Sequence, residues 1–165
     1  MNKNLLIIGA GGHGKVVKEI AEALGYTNIE FLDDNSTEAI GKIEDSKAYI
    51  SQYPEAFVAI GNNKFRGELL TRLEQEGFAI PVLIHPSAYI SKSATIEKGT
   101  VVEPKAIVNA NSKLGLGCII SVGSIVDHDV VLEDCVHVNA GAICKAGSFV
   151  SKETKLEAGQ VVKGY

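Results

Sequence analysis

Apolar residues recur along this chain with three different periods. Residues 5–9 (LLIIG) form an unbroken apolar run closed by glycine, the pattern of a strand buried on both faces. Over residues 15–24 the apolar positions are Val16, Val17, Ile20, Ala21 and Leu24, a helical spacing, with Gly25 placed to stop the helix. Residues 29–32 (IEFL) predict a second strand, 46–52 a short helix before Pro54, and 57–60 (FVAI) a third strand. Residues 65–76 predict a helix that turns Leu69, Leu70 and Leu73 inward, with Gly77 as its stop, and 82–84 a fourth strand. This alternation predicts an α/β Rossmann-like half domain, a small parallel sheet with helices on both faces.

From Ile90 onward the period is six. Ile90, Ile96, Val102, Val108, Leu114, Ile120, Val126, Leu132, Val138, Cys144, Val150, Leu156 and Val162 are all aliphatic except the cysteine. The residues four places after each are small or β-branched as far as Thr154, with Gln160 the exception. Neither a helix nor a simple strand repeats every six residues. A parallel β-helix does, with one large inward side chain and one small corner residue per edge, and stacked coils supply the core. Three sixes make one coil of a triangular cross-section, so residues eighteen apart stack. The segment His85-Pro86-Ser87-Ala88 is the joint, which places a nucleotide-binding unit at 1–85 and a β-helix of about four coils at 86–165.

Composition narrows the function classes. Hydrophobic content of 45% suffices for a sizeable core, and seventeen glycines fit a chain that turns many tight corners. A net charge of −4 argues against a general nucleic-acid binder. The longest apolar runs are far too short to span a bilayer, and the N-terminus lacks the apolar stretch of a signal peptide, so a cytoplasmic location is expected. Three cysteines form no C-x-x-C pair. Cys118 and Cys144 fall in phase with the repeat and read as small buried residues. Nothing in the sequence calls for a metal.

Two places carry candidate chemistry. Gly9-Ala10-Gly11-Gly12-His13-Gly14 fits G-x-G-x-x-G between a strand and a helix, with Asp33 and Asp34 at the end of the next strand to meet a ribose hydroxyl. Glycine lets a phosphate approach the backbone, and the helix N-terminus offers free N–H groups. A mononucleotide, such as the UDP of a sugar nucleotide, fits one half of a dinucleotide fold; a tight turn without a ligand is the alternative. His13 and Lys15 are candidate phosphate or sugar contacts, against plain surface positions.

In the repeat, Asp127, His128 and Asp129 lie on one edge between Val126 and Val130. Imidazole is the default general base near neutrality, and a carboxylate beside it fixes its tautomer. Strand alternation would put the two aspartates on one side and His128 on the other, so contact depends on the corner. Ala110 and Ala146 stack one coil below and above His128 and leave room around it. Lys145 and Lys155 are candidates for the phosphates of an acyl carrier, but read first as solvated edge lysines.

On these residues the chain resembles the sialic acid O-acetyltransferase and UDP-amino-sugar N-acetyltransferase group, bacterial sugar acyltransferases of the hexapeptide-repeat superfamily. Three signatures carry the resemblance: Ile8-Gly-Ala-Gly-Gly-His-Gly-Lys15 with Phe31-Leu-Asp-Asp-Asn35; Ala59-Ile-Gly-Asn-Asn63 with Arg66 and Val82-Leu-Ile-His-Pro-Ser87; and Gly123-Ser-Ile-Val-Asp-His-Asp129 with His137-Val-Asn-Ala-Gly-Ala142. Together they cover essentially the whole chain. The resemblance implies a left-handed β-helix, a homotrimer with sites between subunits, and acetyl transfer from acetyl-CoA to an amine or hydroxyl of a nucleotide-linked or free sugar, in polysaccharide or glycan assembly. It implies His128 as base, Asp129 as its orienting acid, and His137 near the thioester, with Ala146 and Gly147 at the donor and a backbone N–H near Gly147 steadying the oxyanion. It implies Gly11, His13, Gly14, Lys15, Asp33, Asp34 and Gly61 at the nucleotide sugar.

Relatives usually continue for several more hexapeptides, whereas this chain ends at Lys163-Gly-Tyr165 and carries Lys152, Glu153, Lys155 and Gln160 in a less regular last coil. The competing expectation is therefore a nucleotide-sugar-binding or scaffold trimer that has lost its CoA site. A nucleotide-dependent oxidoreductase is disfavoured by the missing second half of the dinucleotide fold.

Overall fold

The computed structural model describes residues 3–165. The chain begins β1 (Asn4–Ile8), α1 (Gly12–Ala23), β2 (Asn28–Leu32), a 3-10 helix (Ile43–Tyr49), β3 (Glu55–Val58) and α2 (Asn63–Glu76). The strands are parallel in the order β2-β1-β3. Because β1 is central, both its faces are covered. Leu5 and Ile7 pack with Val17, Ile20 and Ala21 of α1, while Leu6 and Ile8 pack with Leu69, Leu70 and Leu73 of α2. The Asn62 side chain caps α2 by accepting the Phe65 amide at 2.9 Å, and Gly77 closes it at φ 99°.

Residues 83–162 then form thirteen two-residue strands on three faces. The first face stacks Leu83–Ile84, Val101–Val102, Ile119–Ile120 and His137–Val138. The second stacks Tyr89–Ile90, Ile107–Val108, Ile125–Val126, Ile143–Cys144 and Val161–Val162. The third stacks Thr95–Ile96, Lys113–Leu114, Val131–Leu132 and Phe149–Val150. Every pairing is parallel with a register of eighteen, the expected coil of a left-handed β-helix. Every residue of the six-residue series lies in the interior cluster, including Cys144, and the small-residue positions Ala106, Cys118, Val130, Val136 and Ala142 fill the corners.

One expectation is corrected. The run at 82–84 is not a fourth strand of the first sheet. Leu83–Ile84 pairs only with Val101–Val102 and starts the β-helix. It reads as an unbroken apolar run because Leu83 packs outward against the α/β core while Ile84 packs inward. The six-residue phase already contained this answer, since Ile84 lies six before Ile90.

The corners show a third periodic position. Eleven residues have positive φ, at 99, 105, 111 and onward in steps of six to 159. Six are glycine; Lys105, Asn111, Asp129, Cys135 and Glu153 are not. Such a residue forgoes about 1 kcal/mol that glycine would not, so the corner at Asp129 is a place where the backbone tolerates strain to set a side chain.

The two units share a core. Leu83, Val101 and Ile119, the outward column of the first face, belong to the same cluster as Leu5, Ile7, Phe31 and Phe57. Arg66 of α2 is fully buried at this seam. Its Nε donates to Gly117 O at 2.7 Å and Nη1 to Ile60 O at 2.9 Å; Nη2 donates to Asn63 Oδ1 at 2.8 Å and Cys135 O at 2.9 Å. Among the described residues, no helix is long and apolar enough to cross a membrane.

Candidate active site

The third coil turns from the second face to the third at Asp127, His128 and Asp129. Strand alternation would keep His128 apart from both aspartates. The positive φ of Asp129 (59°) bends the chain instead, and Asp129 Oδ2 comes to 2.7 Å from His128 Nδ1. Asn111, stacked one coil below, donates its side-chain N–H to Asp129 Oδ1 at 3.2 Å. Asp127 acts on the backbone instead. Its Oδ1 accepts the His128 amide at 2.8 Å and the Asn109 side-chain amide at 3.1 Å, so it shapes the corner. The hydrogen bond to Asp129 favours imidazolium and raises the His128 pKa above its ordinary value, while Asp129 is lowered in return. His128 is thus an exposed imidazole whose Nδ1 is engaged by a carboxylate, leaving Nε2 as the basic nitrogen.

A backbone N–H near Gly147 is expected at the oxyanion; the amide of Gly147 itself is already engaged. It donates to His128 O at 3.0 Å as part of the coil ladder. The Tyr165 ring packs over this corner, where a Cβ on Gly147 would collide with it, and Ala146 O accepts the Tyr165 amide at 3.3 Å. Ala146 and Gly147 therefore flank the imidazole as backbone, one coil above it.

His137 lies elsewhere. It is the fourth member of the outward column Leu83, Val101, Ile119 and so stands on the first face, opposite the His128 corner. Its Nε2 is 3.1 Å from Ser121 Oγ. Burial, with Arg66, His13 and Lys155 nearby, lowers its pKa to about 4. His13, in the first turn of α1, faces the same seam, and burial together with Arg66 lowers it to about 4 as well.

The glycine turn folds as its spacing predicts. A Cβ on Gly14 would strike Gly9 O, so Gly14 permits the close approach of α1 to β1. Gly11 is different: its φ of −74° suits any residue and nothing lies within 4 Å of a Cβ there. It caps α1 without a side-chain bond, and no acidic residue occupies the first turn. The first-turn amides are thus free to meet an anion.

Asp33 and Asp34 sit at the end of β2 as expected, but both hold the loop. Asp33 accepts the amides of Ala10 (2.9 Å), Asn35 (2.8 Å) and Ser36 (3.0 Å), which lower its pKa. Asp34 accepts the Ile43 amide at 3.0 Å. A shallow depression of about 560 Å³ opens between Gly11 and this loop. Lys15 pairs with Glu38 at 3.0 Å. Gly61 lies apart, in a second depression with Lys64 and Lys155.

The thiols take no part. All three cysteines are buried, and burial pushes Cys118 up to about 12 and Cys144 to about 11. Among the described residues, no cluster of His, Cys, Asp and Glu could hold a metal.

The PglD N-terminal domain family matches residues 4–73. UDP-N-acetylbacillosamine N-acetyltransferase of Bacillus subtilis is 35% identical over 113 residues, which cover 61% of this chain and 51% of that protein. The chain thus spans about half the length of this curated relative. The acetyltransferase domain of PglB from Neisseria gonorrhoeae superposes with a TM-score of 0.94 at 39% identity, covering 99% of this chain and 83% of that one. The same domain in complex with acetyl coenzyme A gives 0.91 at 40% identity, over the same 99% and 83%. A histidine-to-asparagine mutant of perosamine N-acetyltransferase from Caulobacter crescentus, in complex with CoA and GDP-perosamine, gives 0.90 at 30% identity, covering 98% of this chain and 89% of that one.

Proposed function

The chain belongs to the bacterial sugar acyltransferases of the hexapeptide-repeat superfamily, and on that premise we propose that it moves the acetyl group of acetyl-CoA onto the amine of a nucleotide-linked amino sugar. The observation that carries this reading is the His128–Asp129 pair, exposed on a prism corner at 2.7 Å. The relatives named above support the amine over a hydroxyl, since both the Bacillus and the Caulobacter proteins are named N-acetyltransferases.

His128 Nε2 takes a proton from the acceptor amine as that nitrogen attacks the thioester carbonyl. The tetrahedral oxyanion collapses, the C–S bond breaks, and CoA leaves as a thiolate that collects the proton from the imidazolium. Asp129 keeps the other imidazole proton on Nδ1 throughout. No covalent enzyme intermediate is needed.

The nucleotide belongs at the N-terminus of α1, with Gly11 and the loop held by Asp33 around it. That end lies against the first face, whereas His128 is on the opposite corner. A single copy therefore does not bring donor chemistry to its own acceptor site. This supports a homotrimer in which the His128 corner of one copy faces the α/β unit of the next. The outward columns of the second and third faces fit such a contact: Tyr89 is 58% exposed and Phe149 59%.

Two experiments test the site. The acid limb of kcat/KM should lie above the ordinary imidazole value, because the base works only when neutral and Asp129 raises its pKa. In Asp129→Asn that limb should move to lower pH and the plateau should fall about a hundredfold; an unmoved limb would show that another group is the base. Gly11→Glu places a carboxylate where the diphosphate would sit, at a position open to a side chain. It should leave the melting temperature unchanged and weaken UDP binding, read by calorimetry, at least about tenfold. Equal UDP affinity would remove the nucleotide from α1.

A further inference from the structure

The base does not stand alone on its corner. Asn109-Ala110-Asn111 lies one coil below Asp127-His128-Asp129, and each asparagine donates its side-chain N–H to the aspartate stacked above it: Asn109 to Asp127 Oδ1 at 3.1 Å and Asn111 to Asp129 Oδ1 at 3.2 Å. Asn111 is itself anchored, because its main-chain amide donates to Ser93 Oγ at 3.0 Å, one coil further down. Residues 111, 129 and 147 stack at one corner with positive φ, and of these only the top one is glycine. Asn111 (φ 60°) and Asp129 (φ 59°) thus occupy left-handed positions that glycine would fill without strain, and they bond to each other.

The two oxygens of Asp129 are divided. Oδ2 meets His128 Nδ1 at 2.7 Å, with the Tyr165 hydroxyl at 3.5 Å, and Oδ1 meets only Asn111 among the described residues. The Asp129 side chain is 47% exposed and that of His128 44%, so packing does not fix the carboxylate against the ring. An exposed pair of this kind is held loosely, since each side chain gives up rotamer freedom to keep it. The bond from Asn111 restrains the carboxylate. An amide suits this task because it is neutral: it orients the carboxylate and leaves the negative charge to act on the imidazole, where an ammonium or guanidinium would offset that charge. The other charged or titratable groups around the ring are Asp127, Lys145 one coil above Asp127, Lys113 in the depression beside Asp129, and Tyr165.

We propose that Asn111 is a positioning residue for acetyl transfer: its side-chain amide holds Asp129 Oδ1, so that Oδ2 keeps the Nδ1 proton of His128 and Nε2 stays the basic nitrogen. This rests on the acetyltransferase reading above. Asn111→Gly removes the amide at a φ that glycine adopts freely, so the coil is retained. Positioning and simple charge withdrawal then differ in sign. If Asn111 only drew charge from Asp129, its loss would make the carboxylate a stronger partner and raise the His128 pKa. If it positions Asp129, its loss lets the carboxylate rotate away, and the His128 pKa falls.

The test uses the full chain labelled with ¹⁵N-histidine, together with steady-state kinetics on acetyl-CoA and a UDP-linked amino sugar. In Asn111→Gly, His128 should titrate at lower pH than in the wild type, and its neutral form should change from Nδ1–H alone to a mixture of both tautomers. kcat should fall about tenfold, with both KM values within about twofold of the wild type. In the Asp129→Asn background the same change should cost less than about twofold, because the carboxylate it positions is gone. An unmoved or raised His128 pKa, an unchanged tautomer, or a loss that adds in full to that of Asp129→Asn would each overturn the proposal. A variant that only melts lower would give Asn111 a structural role alone and overturn it as well. The titration and the tautomer need no turnover, so absence of acetyl transfer would count against the proposed function alone.

Discussion

His128→Ala is expected to lower kcat/KM for acetyl transfer by about a thousandfold, the scale of a lost general base, while acetyl-CoA affinity by calorimetry stays within about twofold, since a base contributes mainly in the transition state. His128 is exposed on a corner, so no core packing is lost. The ladder bonds at this position, from the Gly147 amide to His128 O and from the Asp129 amide to Ala110 O, are main-chain and survive the change. The variant should melt with the wild type. Retained turnover would assign the base elsewhere, and His137 is a poor substitute: it is half-buried on another face and its pKa is lowered to about 4.

Arg66→Ala should be the most destabilising single change in the chain. The side chain is fully buried, and four acceptors depend on it: the carbonyls of Ile60, Gly117 and Cys135 and the Asn63 side chain. Truncation leaves these groups without a donor and opens a cavity, a loss of about 4 kcal/mol. For a domain of ordinary stability that is a large fraction of the whole. The urea midpoint should fall accordingly. Arg66→Lys should recover less than half of it, because an ammonium lacks the planar fork that reaches acceptors on three sides. A midpoint near that of the wild type would mean that the two units are held together by the shared apolar core alone.

Much of this molecule was legible in its sequence, and the gaps have physical causes. The β-helix was readable because each coil edge needs one large inward residue, so the series from Ile90 to Val162 had no freedom to slip. The first strand of that helix reads like a strand of the α/β sheet because Leu83 faces one core and Ile84 another, which erases the alternation that marks a one-sided strand. The left-handed corners were obscure because five of the eleven are not glycine. One of these, Asp129, hid the contact that matters most. A rule for extended strands separates neighbouring side chains, and a positive φ brings them together.

Arg66 stood in a recognised signature, yet its role could not be read. Its partners at Gly117 and Cys135 are main-chain carbonyls 51 and 69 residues away, and a carbonyl leaves no mark in a sequence. Asp33 was placed correctly at the end of β2, but its bonds to the amides of Ala10, Asn35 and Ser36 depend on loop geometry that spacing does not contain.

In the proposed assembly, acetyl transfer needs a site built from two copies, one giving the His128 corner and the other the glycine turn of α1. Mixing His128→Ala with Gly11→Glu subunits, unfolded together and refolded, tests it in one measurement of CoA thiol release with acetyl-CoA and a nucleotide-linked amino sugar. With the nucleotide sugar well below KM, each variant alone should be nearly inactive. Random assortment should restore about a quarter of wild-type activity, since that share of interfaces pairs an intact corner with an intact turn. Mixed oligomers no more active than either variant alone would show that corner and turn do not work across two copies.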